Sequence, residues 1–337
     1  MVIALSDVIA SNARLASRFP GGLVGVFIGG TSGVGEYTLK ALAKHVPNSR
    51  LLVVGRSQEA ADRIKKECLE FNTNCQFDFI KADLSSLKNV DDLCREIKRR
   101  EKTINLLVQS QGSLGFEKKT ADGFCLPAGI ALYSRAHILS NLLPLLENAS
   151  SHKRVVSVLC ASLEGRIDIS NIPAHGAGIT NWGSHVASVT DFLLEEAARQ
   201  APGVSFVHTY PGVVKSGIMR DTSGLLMGTI SALMRVFGSL IETSPDESGE
   251  RHLFFATDPR YAPRQNGDGA VQAEDVLAMG TDGQSGSGVY SVNDKGNDAS
   301  PKTIKLLNDM RADGTAAKVC EDVRGEIERI IGSDVGV

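Results

Sequence analysis

Aromatic side chains are scarce in this sequence of 337 residues: phenylalanine, tyrosine and tryptophan together make up 5% of it. Basic stretches interleaved with aromatics are missing as well, which removes the usual footprint of nucleic-acid binding, so no nucleic acid is expected as a partner. The formal net charge is −3. The basic run Lys98-Arg99-Arg100 reads as a helix end, where cations meet the negative pole of the backbone dipole. The six cysteines are Cys68, Cys75, Cys94, Cys125, Cys160 and Cys320. None stands in a Cys-x-x-Cys pair and no cysteine/histidine cluster has metal-ligand spacing, so free thiols in a reducing compartment and no metal are expected. No run approaches the ~18 apolar residues of a membrane span. Residues 1–20 are broken by Ser6, Asp7, Ser11, Asn12 and Arg14 and do not read as a signal peptide. They suit a surface helix, and a cytoplasmic location follows as the expectation.

Ala, Val, Leu, Ile and Gly supply most of the 42% hydrophobic content, the mix that packs parallel strands between helices. Strand and helix signals alternate. Short apolar runs at 23–28, 50–54, 76–80, 104–108, 154–159 and 204–208 read as buried strands. Helical periodicity falls at 35–44, 58–70, 86–100, 128–147 and 186–199. After Pro211 the pattern loosens. An apolar stretch at 224–240 suggests a flap, 247–256 a helix, 262–286 an exposed loop, 288–292 a last strand, and 302–310 and 316–331 terminal helices. The expected fold is α/β: a Rossmann-type doubly wound parallel sheet, one domain with substrate-flap helices and a C-terminal helical extension. The boundaries are an N-terminal segment 1–20, a nucleotide-binding domain 21–292 and an extension 293–337.

Between the first strand and helix lies Gly29-Gly30-Thr31-Ser32-Gly33-Val34-Gly35. Gly29, Gly33 and Gly35 stand where a side chain would block close backbone approach. The helix start offers unpaired N–H groups to a pyrophosphate, although the dipole itself contributes at most ~2 kcal/mol. Thr31, Ser32 and Val34 belong to the same cradle. The second strand ends Val54-Gly55-Arg56-Ser57, with no acidic residue to grip a ribose. A guanidinium there suits a 2′-phosphate, so the expected cofactor is NADP(H); a solvated Arg56 is the plain alternative. Asp83, followed by Leu84, can accept from an adenine amino group or cap a helix.

These residues resemble the short-chain dehydrogenase/reductase family, over about Val24 to Tyr290, through the glycine motif, Asp83-Leu84, Pro211-Gly212 and Lys215-Ser216. The later pattern is most similar to fungal members of secondary-metabolite pathways. The resemblance implies that Gly112, Pro211, Gly212 and Ser216 line the nicotinamide half of the cofactor, and that two copies pair through the long central helices as a homodimer. It also exposes departures. The family's Asn-Asn-Ala-Gly is Gln109-Ser110-Gln111-Gly112 here. The catalytic Ser falls at Cys160, the Tyr-x-x-x-Lys pair at Asn181 and His185, and the relay Asn near Leu132. Shifting the register cannot restore the pair: Tyr37, Tyr133, Tyr210, Tyr261 and Tyr290 all lack a Lys four positions on.

The remaining candidates for chemistry are weighed against plainer roles. His185 can hold a ribose hydroxyl or donate a proton, or simply pack. Cys160 can offer a thiol or fill a strand end. Ser162 would face the same way as Cys160 if the strand continues. Tyr133 and Tyr210 can reach a substrate or pack locally, and His137, one turn from Tyr133, can pair with it. Three functions follow: an NADP(H)-dependent oxidoreductase acting on a hydrophobic small metabolite (a ketone, enone or imine) with a degenerate active site; a non-redox isomerase, cyclase or dehydratase; or a catalytically inactive cofactor-binding partner.

Overall fold

The computed structural model describes residues 2–222, 242–264 and 276–332. The expected flap at 224–240 falls wholly outside them. The strands are β1 (Val24–Ile28), β2 (Arg50–Gly55), β3 (Gln76–Lys81), β4 (Leu106–Gln109), β5 (Arg154–Val158), β6 (Ser205–Thr209) and β7 (Val289–Val292). They form one sheet, parallel throughout, in the order β3-β2-β1-β4-β5-β6-β7. The helices are α1 (Leu5–Asn12), α2 (Leu15–Arg18), α3 (Gly33–His45), α4 (Gln58–Phe71), α5 (Leu87–Arg100), α6 (Leu126–Ala128), α7 (Ser134–Glu147), α8 (Ile179–Gln200), α9 (Pro245–Thr257), α10 (Pro301–Ala312) and α11 (Thr315–Ile331). A π-helical turn, Gly129–Tyr133, joins α6 to α7.

Successive strand residues enter opposite cores. Val26, Ile28, Leu52 and Leu107 pack under α5, α7 and α8. Phe27, Leu51, Val53, Leu106 and Val108 pack under α3, α4 and α9. The all-apolar strands therefore need cover on both faces, and the alternating helices supply it. Helix α5 shows the economy of that cover. Its buried Leu87, Val90, Leu93 and Ile97 each contribute roughly 1.5–3 kcal/mol, while its outer face stays charged.

The strand order reverses direction between β1 and β4, which opens a crevice at their C-terminal ends. Register fixes its walls. Ile28 pairs with both Val54 and Gln109, so the segments after β1, β2 and β4 emerge side by side.

Helix α8 begins two turns before the periodic stretch 186–199. Gly183 and Ser184 hide those turns from propensity, but tertiary bonds hold them: the Gly165 N–H donates to the Ser184 carbonyl at 2.9 Å. Helix α5 is capped from a distance, because the Leu87 N–H donates to Asp122 Oδ2 at 2.8 Å. Asp83 is therefore not that helix's cap; its Oδ1 accepts from the Ser85 N–H at 3.0 Å. Helix α1 lies on α9, where Ser11 Oγ donates to Asp258 Oδ2 at 2.7 Å. Among the described residues, no helix is long and apolar enough to cross a membrane.

Candidate cofactor and active site

The glycine turn has the shape of a phosphate cradle. Gly29 and Gly33 adopt φ of +80° and +60°, a region L side chains rarely enter. A methyl group on Gly29 would sit 2.8 Å from the Gln111 nitrogen, and one on Gly35 would sit 2.2 Å from Ser110 Oγ. Ser32 is the N-cap of α3 yet makes no side-chain capping bond. The first-turn N–H groups thus lack a side-chain cap and can meet an anion. Val34 is buried behind them. Glu36, the carboxylate nearest this anion site in sequence, is turned to the fork of Arg63, with both contacts at 2.9 Å, and to Lys40. That pairing offsets the repulsion it would otherwise exert on a phosphate.

Thr31 leans on β2: a methyl group on Gly55 would meet its Oγ1 at 2.4 Å. This contact brings Arg56 beside the cradle. The Arg56 guanidinium is 54% exposed and lies 3.5 Å from Asp221 Oδ2. Ser57, by contrast, caps α4 by accepting from the Ala60 N–H at 3.1 Å. Asp221 is also within 3.7 Å of Lys118 and accepts from Ser113 Oγ at 3.4 Å. Segment 215–222 thereby runs across the crevice as a strap. Ser216 packs directly on Gly33, Asp221 on Gly115, and Ile218 lies over Gly112. The Tyr37 hydroxyl anchors it by donating to the Lys215 carbonyl at 2.9 Å. Gly212 has φ +71° and starts the strap beside Pro211. Leu84 is buried in the core at the end of β3.

The candidate catalytic residues do not converge on one group. Cys160 is partly buried and faces α8, its Sγ 3.7 Å from where a Gly183 methyl would be. Burial pushes its thiol up to about 11. Strand β5 stops at Val158, so the condition under which Ser162 would face the same way as Cys160 is not met. It sits in a turn with φ +66°, its N–H shared between Glu164 Oε1 at 2.8 Å and Ser291 Oγ at 3.1 Å. Asn181 is exposed at the start of α8. His185 is buried, accepts the Asp168 N–H on Nδ1 at 3.3 Å and donates Nε2–H to the Ile172 carbonyl at 3.0 Å. Both its nitrogens are thus engaged by the 168–172 loop, and burial lowers its pKa.

Tyr133 is fully buried and stacks on Phe124 at 3.9 Å. It lines a cavity of about 300 Å³ shared with Asp322, Glu326 and Arg329 of α11. His137 does not pair with it; its Nε2 faces Asp91 at 3.3 Å. Tyr210 is half-buried just beyond β6.

The sequence pattern described as short chain dehydrogenase matches residues 24–223. The chain belongs to the short-chain dehydrogenase/reductase family. An oxidoreductase of Emericella nidulans, AN1596, is 34% identical over 92% of this chain and 93% of its own length. The oxidoreductase andH of Emericella variicolor is 31% identical, over 92% and 93%. Among solved structures, the Pseudomonas aeruginosa RhlG/NADP complex aligns with a TM-score of 0.51 at 19% identity, over 71% of this chain and 91% of that one. A Mycobacterium paratuberculosis protein aligns with a TM-score of 0.55 at 16% identity, over 91% and 93%. These likenesses place the doubly wound sheet within the short-chain dehydrogenase/reductase fold.

Two features of this family member escaped the sequence reading. Arg135, inside an apparently apolar helix, is buried and donates to the Gln109, Gln111 and Val158 carbonyls and to Ser157 Oγ, at 2.6–2.9 Å. It clamps the ends of β4 and β5 together beneath the crevice. Burial lowers its pKa to about 9, still charged at neutral pH. The second is a group of partly buried Glu164 with buried Asp191 and His208 under the turn that carries Cys160 and Ser162.

Proposed function

We propose that the chain is an NADP(H)-dependent oxidoreductase acting on a hydrophobic small molecule with a ketone, enone or imine group. The observation that carries this reading is Arg56, an exposed side chain at the end of β2 that follows directly on Gly55, which packs on Thr31 of a glycine cradle whose Cα positions leave no room for side chains. In this reading Gly29, Thr31, Ser32, Gly33, Val34 and Gly35 approach the pyrophosphate, Arg56 and Ser57 the 2′-phosphate, and Asp83 and Leu84 the adenine. Gly112, Pro211, Gly212 and Ser216 lie along the nicotinamide side. Bound there, NADP(H) would supply or take a hydride. The protein's part is to hold that cofactor, exclude water with the strap, and orient the substrate oxygen near Cys160, Ser162 and Asn181. With no Tyr-x-x-x-Lys pair to supply an activated phenol, a polarised carbonyl or iminium suits the site best, because it needs less help from an acid.

Helix α11 lays Val319, Val323 and Ile327 against Leu132, Val186 and Val189. It therefore covers part of the central helical face, and a monomer of about 35.9 kDa fits better than pairing through that face. Light scattering after size exclusion reads this directly.

One observation favours a non-redox isomerase, cyclase or dehydratase, or a partner without turnover: His185 is fully engaged by backbone and Asn181 has no acidic proton. Incubating the protein with NADPH and a panel of hydrophobic activated carbonyls separates the readings. Loss of NADPH absorbance with formation of a reduced product supports the oxidoreductase. Tight NADPH binding with no reduction of any candidate, or turnover without nucleotide, removes it.

A further inference from the structure

Beneath the Cys160–Gly165 turn, Glu164, Asp191 from α8 and His208 from β6 each offer a ligand atom within 4.8 Å of the others. Such a trio suggests a metal, but the hydrogen bonds exclude one. The Cys160 N–H donates to His208 Nε2 at 3.2 Å, so that nitrogen carries a lone pair and the ring proton must sit on Nδ1. The Nδ1–H then donates to Asp191 Oδ1 at 2.8 Å. No imidazole lone pair remains for a cation, and the ring is neutral; burial lowers its pKa to about 4.

The carboxylates leave a different vacancy. Glu164 Oε1 accepts from the Ser162 N–H at 2.8 Å and from Ser291 Oγ. Asp191 Oδ1 is taken by His208. The second oxygen of each, Glu164 Oε2 and Asp191 Oδ2, is buried and, among the described residues, is reached by no donor. Asp191 is 0% exposed. Two adjacent anions with bare oxygens in such a place face both desolvation and mutual repulsion. A single proton between them removes both problems: one oxygen becomes a donor and the other its acceptor.

We propose that Glu164 and Asp191 hold one shared proton at neutral pH, and that this proton fixes the Cys160–Gly165 turn, making the pair positioning residues for the site assigned above. The inference rests on that assignment for the word "site" but not for the proton itself. The surrounding charges do not supply an alternative counterion. Glu195 on α8 is paired with Arg311 of α10. Arg135 of α7 is held by strand carbonyls and Ser157. From β7 comes only the Ser291 hydroxyl, and on the turn itself the Cys160 thiol, kept protonated by burial. Burial, with Asp191 next, pushes Glu164 up to about 7, and burial drives Asp191 well above its ordinary range.

The sign follows. An acid whose folded pKa is raised favours the fold fully below its ordinary value of 4.5, and that contribution fades as pH rises through about 7. Glu164→Gln replaces the shared O–H by an amide N–H that cannot be lost. The test uses the full chain. Infrared difference spectroscopy of the wild type across pH should show a protonated-carboxyl stretch that titrates near neutrality, and Glu164→Gln should lack it. The Tm of Glu164→Gln relative to wild type should rise by a few degrees between about pH 5 and about pH 9, while Glu164→Gln and wild type bind NADPH equally. Asp191→Asn places the amide on the other partner and serves if Glu164→Gln does not fold. Absence of a titrating carboxyl band in the wild type overturns the proposal. So does a Tm difference that stays flat with pH, or stoichiometric heat on titrating Zn²⁺ or Mg²⁺ alone into wild type but not Asp191→Asn. Failure of both proteins to bind NADPH, with the band present, would instead sink the oxidoreductase reading and leave the shared proton standing.

Discussion

Arg56→Ala should weaken NADPH and leave NADH nearly untouched, and the size of the change can be worked from the contacts. A guanidinium fork on a phosphate makes charge-assisted hydrogen bonds of about 1.5–3 kcal/mol each when sheltered. Here the side chain is 54% exposed, and solvent screening reduces the whole contact to about 1.5–3 kcal/mol. Before it forms, the 3.5 Å pair with Asp221 must open, at about 0–1 kcal/mol for an exposed ion pair. The net of about 0.5–3 kcal/mol corresponds to roughly 2–150-fold in Kd. Asp221 is both competitor and like charge to the incoming phosphate, so Asp221→Ala should tighten NADPH by up to about 5-fold. The double variant should bind NADPH like Arg56→Ala or slightly tighter, because only the relief of repulsion, and not the freeing of the guanidinium, survives without Arg56. Titration followed by nucleotide fluorescence or calorimetry reads all four proteins. Equal loss of NADPH and NADH affinity in Arg56→Ala, or no loss of either, would refute the reasoning.

Arg135→Met strips four buried acceptors of their donor and should cost on the order of 3–5 kcal/mol in urea unfolding; a loss under about 1 kcal/mol would mean the strand ends hold without the clamp. His185→Ala frees the Asp168 N–H and the Ile172 carbonyl. Limited proteolysis should then cut faster within 166–176 while NADPH affinity stays the same, and a selective loss of affinity would instead place His185 at the ribose. Cys160, with its pKa raised to about 11, should alkylate slowly with iodoacetamide at neutral pH, faster as the thiolate fraction grows toward that value; rapid labelling at neutral pH contradicts the buried-thiol description.

What could be read from the sequence was whatever is local. Apolar runs of strand length, periodic helices and the Gly29–Gly35 turn announce themselves within a few residues of chain, and the sheet followed from their alternation. What could not be read was assembled at long range. Asp122 caps α5 from 35 positions beyond Leu87, a cap no local pattern can reveal. Arg135 carries no signal within its own helix, because its acceptors lie at the ends of β4 and β5 and just beyond. Glu164, Asp191 and His208 are each unremarkable in their own windows; only the approach of β5, β6 and α8 makes them a cluster. The direction of Ser162 depends on whether β5 continues; it ends at Val158, and a left-handed turn places the Ser162 N–H at Glu164. Asn181 and His185 were located by family register, yet only the structure shows His185 bound to the loop before it.

The most direct test of the central claim is a crystal structure of the chain grown with NADP⁺. The account predicts the pyrophosphate against the Gly29–Gly35 backbone, the 2′-phosphate within hydrogen-bond distance of Arg56, and Asp221 displaced from the guanidinium. A nucleotide bound elsewhere, or one seated in the cradle with Arg56 still closed on Asp221, would contradict it.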